Sequence, residues 1–211
     1  MKLFNLIPTK ILSQQARKPS GLIGRYIMPT LFRGNNDLNL LVKKSLELVA
    51  SDKVLEIGFG PGRLLNEIAT IVDFTEGIDF SSTMVAEANK LNYHHIANNK
   101  MKIQQGDCSK LPYENESFDK VCSVNTLYFW KKPEVQLREI FRVLKPEGRM
   151  ILGFRNKEQM QTLNLDEGIF NIYSMGEINK LLVNSGFSNI NIKEKDGKPL
   201  KSYCIAATKR L

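Results

Sequence analysis

Apolar and polar residues along this chain switch repeatedly between two periods, and each switch marks an element. The short apolar run Val54–Ile57 predicts a buried strand, and Leu64, Leu65, Ile68, Ala69, Ile71 and Val72 then recur at helical spacing. The alternation continues. Phe74–Ile78 reads as a second strand, ending Gly77-Ile78-Asp79, and Met84, Val85, Ala88 and Leu91 mark a helix that Ser81 is placed to cap. Met101–Gln105 reads as a third strand, closed by Gly106-Asp107. Residues 109–118, which include Pro112, read mostly as loop, and Lys120–Val124 as a fourth strand. Pro133 suits the first turn of a helix carrying Val135, Leu137, Ile140, Phe141 and Leu144. Lys145-Pro146-Glu147-Gly148 stops that helix, and Arg149–Phe154 is strand five.

The flanks are patterned differently. Residues 1–36 hold short apolar pieces (Leu22, Ile23, Tyr26, Ile27, Met28, Leu31, Phe32) punctuated by Pro8, Pro19, Gly21, Gly24, Pro29 and Gly34. Such a segment is too apolar for a free tail and is expected to fold over the core. Asp37 is placed to cap a helix whose apolar face is Leu38, Leu41, Val42, Leu46 and Val49. Residues 155–173 are polar and irregular, as in a lid. Ser174-Met-Gly-Glu177 matches a capping box, and Ile178, Leu181, Leu182 and Val183 follow. Ser188–Lys193 and Tyr203–Thr208 read as strands flanking the turn Asp196-Gly197-Lys198-Pro199.

Five alternating strand–helix units imply an α/β fold, a doubly wound parallel sheet with helices on both faces. The closing hairpin adds one antiparallel strand. Two parts are expected: a cap or lid over 1–44 and the main domain over 45–211.

Charge separates the same two parts. Residues 1–44 hold eight Lys/Arg and one acid, Asp37, whereas the remainder holds 22 Lys/Arg and 21 acids. The overall charge of +8 therefore sits almost wholly on the N-terminal segment. It reads as a solvated basic arm or as a contact for an anionic substrate, nucleic acid or lipid. No apolar run approaches the ~20 residues of a membrane span, and the N-terminus lacks the apolar core of a secretory signal. Its mild amphipathicity leaves weak membrane-surface contact open. Cys108, Cys122 and Cys204 are odd in number and have no CxxC spacing, which points to reduced thiols in a cytoplasmic protein and to no metal site.

The chemistry centres on Glu56-Ile-Gly58-Phe59-Gly60-Pro-Gly62-Arg63. Glycines at 58, 60 and 62 let backbone approach a ligand closely and adopt positive φ. A dinucleotide site needs G-x-G-x-x-G and a phosphate cradle. Here position 63 is Arg, and no Gly-Lys-Ser/Thr of a P-loop follows. Glu56 ahead of the loop would repel a pyrophosphate and suits a cationic ligand. Asp79, at the end of strand two, can accept hydrogen bonds from vicinal ribose hydroxyls, or simply cap the next helix. Asp107, at the end of strand three, would reach a ligand amino group at the same sheet edge, with the Cys108 N–H beside it.

These pieces, with Leu111-Pro112-Tyr113, Ser117-Phe118-Asp119 and Glu139-Ile-Phe-Arg-Val-Leu-Lys-Pro-Glu-Gly148, resemble the class I S-adenosylmethionine-dependent methyltransferases. Within these the likeness is to the small-molecule (type 11, ubiquinone-biosynthesis-like) group. It covers about residues 45–208, and the family's E/D-x-G-x-G-x-G fits Glu56–Gly62 without a gap. Glu147 stands where the family often has a second glycine. The resemblance implies a Rossmann-like sheet of seven strands in the order 3-2-1-4-5-7-6, strand seven antiparallel. It implies that Gly58, Phe59, Gly60 and Gly62 line the cofactor's methionine part, with Glu56 near its amino group. It further implies that Asp79 holds the ribose, Phe80 and Met84 pack on the adenine, Asp107 and Cys108 meet the adenine edge, and Asn125 lies near the methionine moiety.

On the acceptor side, Tyr128-Phe129-Trp130 follows strand four. The three aromatics read either as a substrate wall or as core packing. Tyr26, Asn125, Tyr128 and Trp130 are the candidates for substrate contact. His94 and His95 fall late on a helix, away from the strand ends. The expected activity is methyl transfer to a small molecule by alignment and water exclusion. The alternatives are an RNA or protein methyltransferase using the basic segment, or a silent cofactor-binding scaffold. No appended RNA-binding module and no Asn/Asp-Pro-Pro-Tyr/Phe motif supports the nucleic-acid reading. Monomer and homodimer both fit.

Overall fold

The computed structural model describes residues 7–27, 35–163, 165–197 and 200–210. Met28, Leu31 and Phe32 of the N-terminal segment, and Lys198 and Pro199 of the hairpin turn, lie outside the described residues.

The described residues begin with helix α1 (Thr9–Arg17) and a π-helical turn at Ile23–Ile27. Helix α2 (Asn36–Leu46) follows, then strand β1 (Lys53–Ile57), helix α3 (Arg63–Ala69) and strand β2 (Phe74–Asp79). Next come α4 (Ser82–Leu91), α5 (Tyr93–Ala97), β3 (Met101–Gln105) and β4 (Phe118–Val124). Helix α6 (Pro133–Val143) leads into β5 (Leu144–Phe154). The described residues end with α7 (Lys157–Gln161), α8 (Met175–Asn184), β6 (Phe187–Lys195) and β7 (Ser202–Lys209).

The seven strands form one sheet in the order β3-β2-β1-β4-β5-β7-β6. The first five are parallel, and β7 runs antiparallel to both β5 and β6. This is the order implied by the resemblance. The central strands are buried on both faces, so alternate residues feed opposite cores. Val54, Cys122, Ile151 and Cys204 face α2 and α3 through Leu38, Val42, Leu46, Leu64 and Ile68. Leu55, Val121, Met150, Leu152 and Ile205 face α6 and α8 through Leu137, Ile140, Ile178 and Leu182. Helix α2 spans position 44, and its inner residues Leu38, Val42 and Leu46 are fully buried against the sheet.

Three sequence expectations need correction. Asn35, not Asp37, is the N-cap of α2. Asp37 sits inside the first turn and pairs with Lys195 at 2.6 Å. Val49 is exposed, because Glu47 takes a left-handed φ of 49° and ends the helix before it. Lys145–Gly148 does not separate helix from strand. It forms an irregularity inside β5, where Phe118 pairs with Leu144 but Lys120 already pairs with Arg149. Glu147 takes φ 60° there, and Lys145 bonds Asp119 at 2.8 Å. Other boundaries move by one to three residues, as helix and strand ends commonly do. The expected helix caps at Ser81 and Ser174 hold. Ser81 Oγ accepts from the Met84 N–H, and Ser174 and Glu177 cap α8 reciprocally.

Candidate functional site

In a doubly wound sheet, ligands bind outside the carboxyl ends of the strands. That edge holds a cavity of about 1080 Å³, bounded by residues from α1, the loops after β1, β2, β3, β4 and β5, and the segment after α7.

Its first half is acidic and glycine-lined. Gly58, Gly60 and Gly62 all have positive φ, at 69°, 55° and 79°. A Cβ on Gly58 would lie 2.3 Å from Thr126 Cγ2, and one on Gly62 would crowd Asn92 and Ala88. The loop is thus folded tightly between β4's end and α4. Glu56 is 3% exposed and lines the cavity, and its Oε2 has no hydrogen-bond partner. Burial, then the neighbouring Asp79 charge, holds its pKa well above the ordinary carboxylate value. Asp79 Oδ2 accepts from the Gly60 N–H at 3.0 Å and Oδ1 from the Ser81 N–H at 2.8 Å. These bonds tie strand two's end to the glycine loop. Burial still raises Asp79 to about 6. Phe80, Met84, Asp107 and Cys108 complete this half. Asp107 is exposed at the rim and caps its own turn through Ser109 N–H. The Cys108 thiol is pushed up to about 12, first by burial and then by Asp107.

The second half is apolar. Tyr128, Phe129 and Trp130 all line it, joined by Val135, Met160, Leu163, Leu165 and Phe170. The Phe129 and Phe170 ring centroids are 4.9 Å apart. Tyr128 and Trp130 are also nearly fully buried, so the wall and core readings of these aromatics both describe them. Asn125 takes a left-handed φ of 55° and donates to Asn35 Oδ1 at 2.9 Å. The Tyr128 hydroxyl donates to Arg155 O at 3.0 Å, and burial raises its pKa.

One sequence-predicted candidate falls elsewhere, and the two histidines lie away from the strand ends as expected. Tyr26 is 68% exposed and is not among the cavity-lining residues. Its turn packs against α4, and the phenol points outward. His94 and His95 lie on α5, outside the cavity. Arg17, Asn35, Thr126, Arg155 and Phe170 were not singled out by sequence reasoning. Arg17 was legible only as part of a basic run, and Phe170 only as part of an irregular segment.

Among the described residues, no cluster of three or more His, Cys, Asp or Glu is placed to hold a metal, and no helix is long and apolar enough to cross a membrane. Cys108, Cys122 and Cys204 are all unpaired.

The sheet order, the glycine loop and the acids at successive strand ends define a class I S-adenosylmethionine-dependent methyltransferase. Residues 55–152 match the family described as "Methyltransferase domain". It is 28% identical over 193 residues to the uncharacterized methyltransferase YdaC of Bacillus subtilis, covering 89% of this chain and 98% of that one. It is 33% identical over 110 residues to the demethylmenaquinone methyltransferase of Lactobacillus johnsonii, covering 51% of this chain and 45% of that protein. The chain therefore spans under half of that second relative. The crystal structure of YcgJ from Bacillus subtilis shares the fold, with a TM-score of 0.71 at 19% identity, over 84% of this chain and 99% of that one.

Proposed function

We propose that this protein transfers a methyl group to a small, largely apolar organic acceptor held against Tyr128, Phe129, Trp130 and Phe170. The observation that carries this reading is the continuity of the cavity. One end is acidic and glycine-lined, and the other is an aromatic and aliphatic chamber opening from the same space. Cavities for a single drug-sized ligand run from about 300 to 1,000 Å³, so about 1080 Å³ suits a cofactor with a second molecule beside it.

The acidic half fits S-adenosylmethionine. The lone, buried Glu56 Oε2 lacks a donor, which the cofactor's ammonium would supply. Gly58, Phe59, Gly60 and Gly62 line the space where side chains would intrude, and Asp79 offers the remaining lone pairs of its two oxygens to ribose hydroxyls. Phe80 and Met84 offer an apolar slot for the adenine, with Asp107 and Cys108 at its edge. Asn125 borders both halves. When bound, the cofactor supplies a methyl group already activated on a sulfonium sulfur.

The chain's own part is alignment and exclusion of water. The Tyr128 hydroxyl is engaged by Arg155 and its pKa is raised. The Cys108 thiol keeps its proton at neutral pH. Neither histidine lines the cavity. This arrangement suits an acceptor whose nucleophilic atom needs no strong base, such as a free amine, a phenolate or a stabilised carbanion. Proximity and orientation alone can supply ~7–11 kcal/mol of barrier lowering. The apolar wall and the demethylmenaquinone relative both support a lipophilic acceptor. Residues 9–27, which border the cavity through Ala16, Arg17 and Pro19, then help to close it.

Incubation of the protein with methyl-labelled cofactor and fractionated lysate tests this. Label in the organic-soluble small-molecule fraction is expected. Label confined to RNA or protein would replace this reading with the macromolecular one, and cofactor binding with no labelled product would favour a scaffold.

A further inference from the structure

Residues 9–27 are latched onto the cofactor half of the cavity by several independent contacts. The Ser81 hydroxyl, which caps the helix beside the adenine slot, donates to Pro19 O. Lys18 Nζ stands 5.4 Å from the centroid of the Phe80 ring. Arg25 pairs with Glu87 on α4 at 3.4 Å. The strap is also braced internally. Gln15 Oε1 accepts from the Ser20 N–H at 2.8 Å, and Gly24 approaches Pro19 so closely that a Cβ would lie 2.7 Å from its carbonyl carbon. Between these anchors, Ala16, Arg17 and Pro19 line the cavity itself.

Arg17 and Arg63 are both half-buried, line the cavity, and have no side-chain hydrogen bond or ion pair to any described residue. The cofactor's tail is an amino acid zwitterion. Its ammonium suits Glu56, but its carboxylate would then lie close to two buried acids, Glu56 and Asp79. A desolvated carboxylate needs a cationic partner. Of the cavity's other cations, Lys131, Lys132 and Arg155 follow β4 and β5, on the acceptor side. Arg155 is drawn toward the segment at 200–202 through its Nη1 bonds to Leu200 O and Ser202 Oγ. Arg63 also lines the cavity but is fixed at the first turn of α3, directly after Gly62, whereas Arg17 is carried on the strap. We propose that the strap at 9–27 completes the cofactor site, and that Arg17 binds the carboxylate of the cofactor's amino acid tail. This rests on the cofactor placement proposed above.

The test compares two ligands on the full chain by calorimetry. S-adenosylhomocysteine carries the amino acid tail, and 5′-methylthioadenosine lacks it. Arg17→Gln should weaken S-adenosylhomocysteine about 10- to 100-fold, the scale of a lost charge-assisted bond, and leave methylthioadenosine unchanged. Arg17→Lys should recover part of the loss. Unchanged affinity for both ligands, or an equal loss for both, would overturn the assignment, as would a tail-selective loss in Arg63→Gln alone. If wild-type protein binds neither ligand, the cofactor placement itself fails, which is a distinguishable result.

Discussion

Gly58 concentrates the demands of the site in one residue. Its φ of 69° disfavours any side chain, and Thr126 leaves no room for a Cβ. Gly58→Ala should therefore lower stability by about 1–3 kcal/mol, and it should weaken cofactor binding further because the loop itself must shift. Thermal melts with and without S-adenosylhomocysteine separate the two effects. Asp79 makes a different demand. Between its ordinary 3.8 and its folded value of about 6, the native state retains a proton that the unfolded chain has released. The native state binds more protons there, so the Asp79 contribution to stability falls as pH rises through that window. The slope of melting temperature against pH over this range should be more negative in the wild type than in Asp79→Asn. An equal slope in both would show that Asp79 does not titrate there.

At the scale of elements, the aromatic chamber depends on pieces far apart in sequence. Phe129 follows β4 and Phe170 precedes α8, yet their rings meet at 4.9 Å. Phe170→Ala should reduce labelled product while leaving S-adenosylhomocysteine affinity intact, measured side by side on one preparation. Below the sheet's other end, Lys120 and Asp52 form a nearly buried ion pair at 2.7 Å, and Lys120 also donates to Glu47 O at 2.6 Å. Asp52→Ala strands a buried ammonium and should cost about 3–5 kcal/mol. A Leu/Met replacement of both partners should cost less in urea titrations. The alternation of strands and helices was legible because each parallel strand is a short apolar run and each helix shows one buried face. Lys145–Gly148 misled because its place in β5 depends on pairing with Phe118, a contact 26 residues away from Leu144. The acids and glycines of the cofactor half were legible because they lie at strand ends in fixed order. The acceptor half was not. Phe170, Leu163 and Leu165 carry no local period, and only the tertiary fold brings them to Trp130.

At the scale of the whole molecule, ligand binding and folding share one account. A saturating ligand at about 100 times its Kd stabilises the native state by about 2.7 kcal/mol. Here the ligand's ammonium would favour ionised Glu56, whose pKa burial has raised. The melting shift produced by S-adenosylhomocysteine should therefore grow as pH rises above the ordinary glutamate value of 4.5, and a shift that shrinks with rising pH would argue against Glu56 as the ammonium's partner. The sheet order has a consequence for how the chain is assembled during synthesis. Strand β7 follows β6 in the chain, yet it lies between β6 and β5. As the polypeptide leaves the ribosome, β5 and β6 cannot be joined until residues 202–209 emerge to bridge them. Until then the free flank of β5 is a backbone edge open to pairing with another nascent chain. Completion of this enzyme's sheet is an insertion, not an addition at the margin.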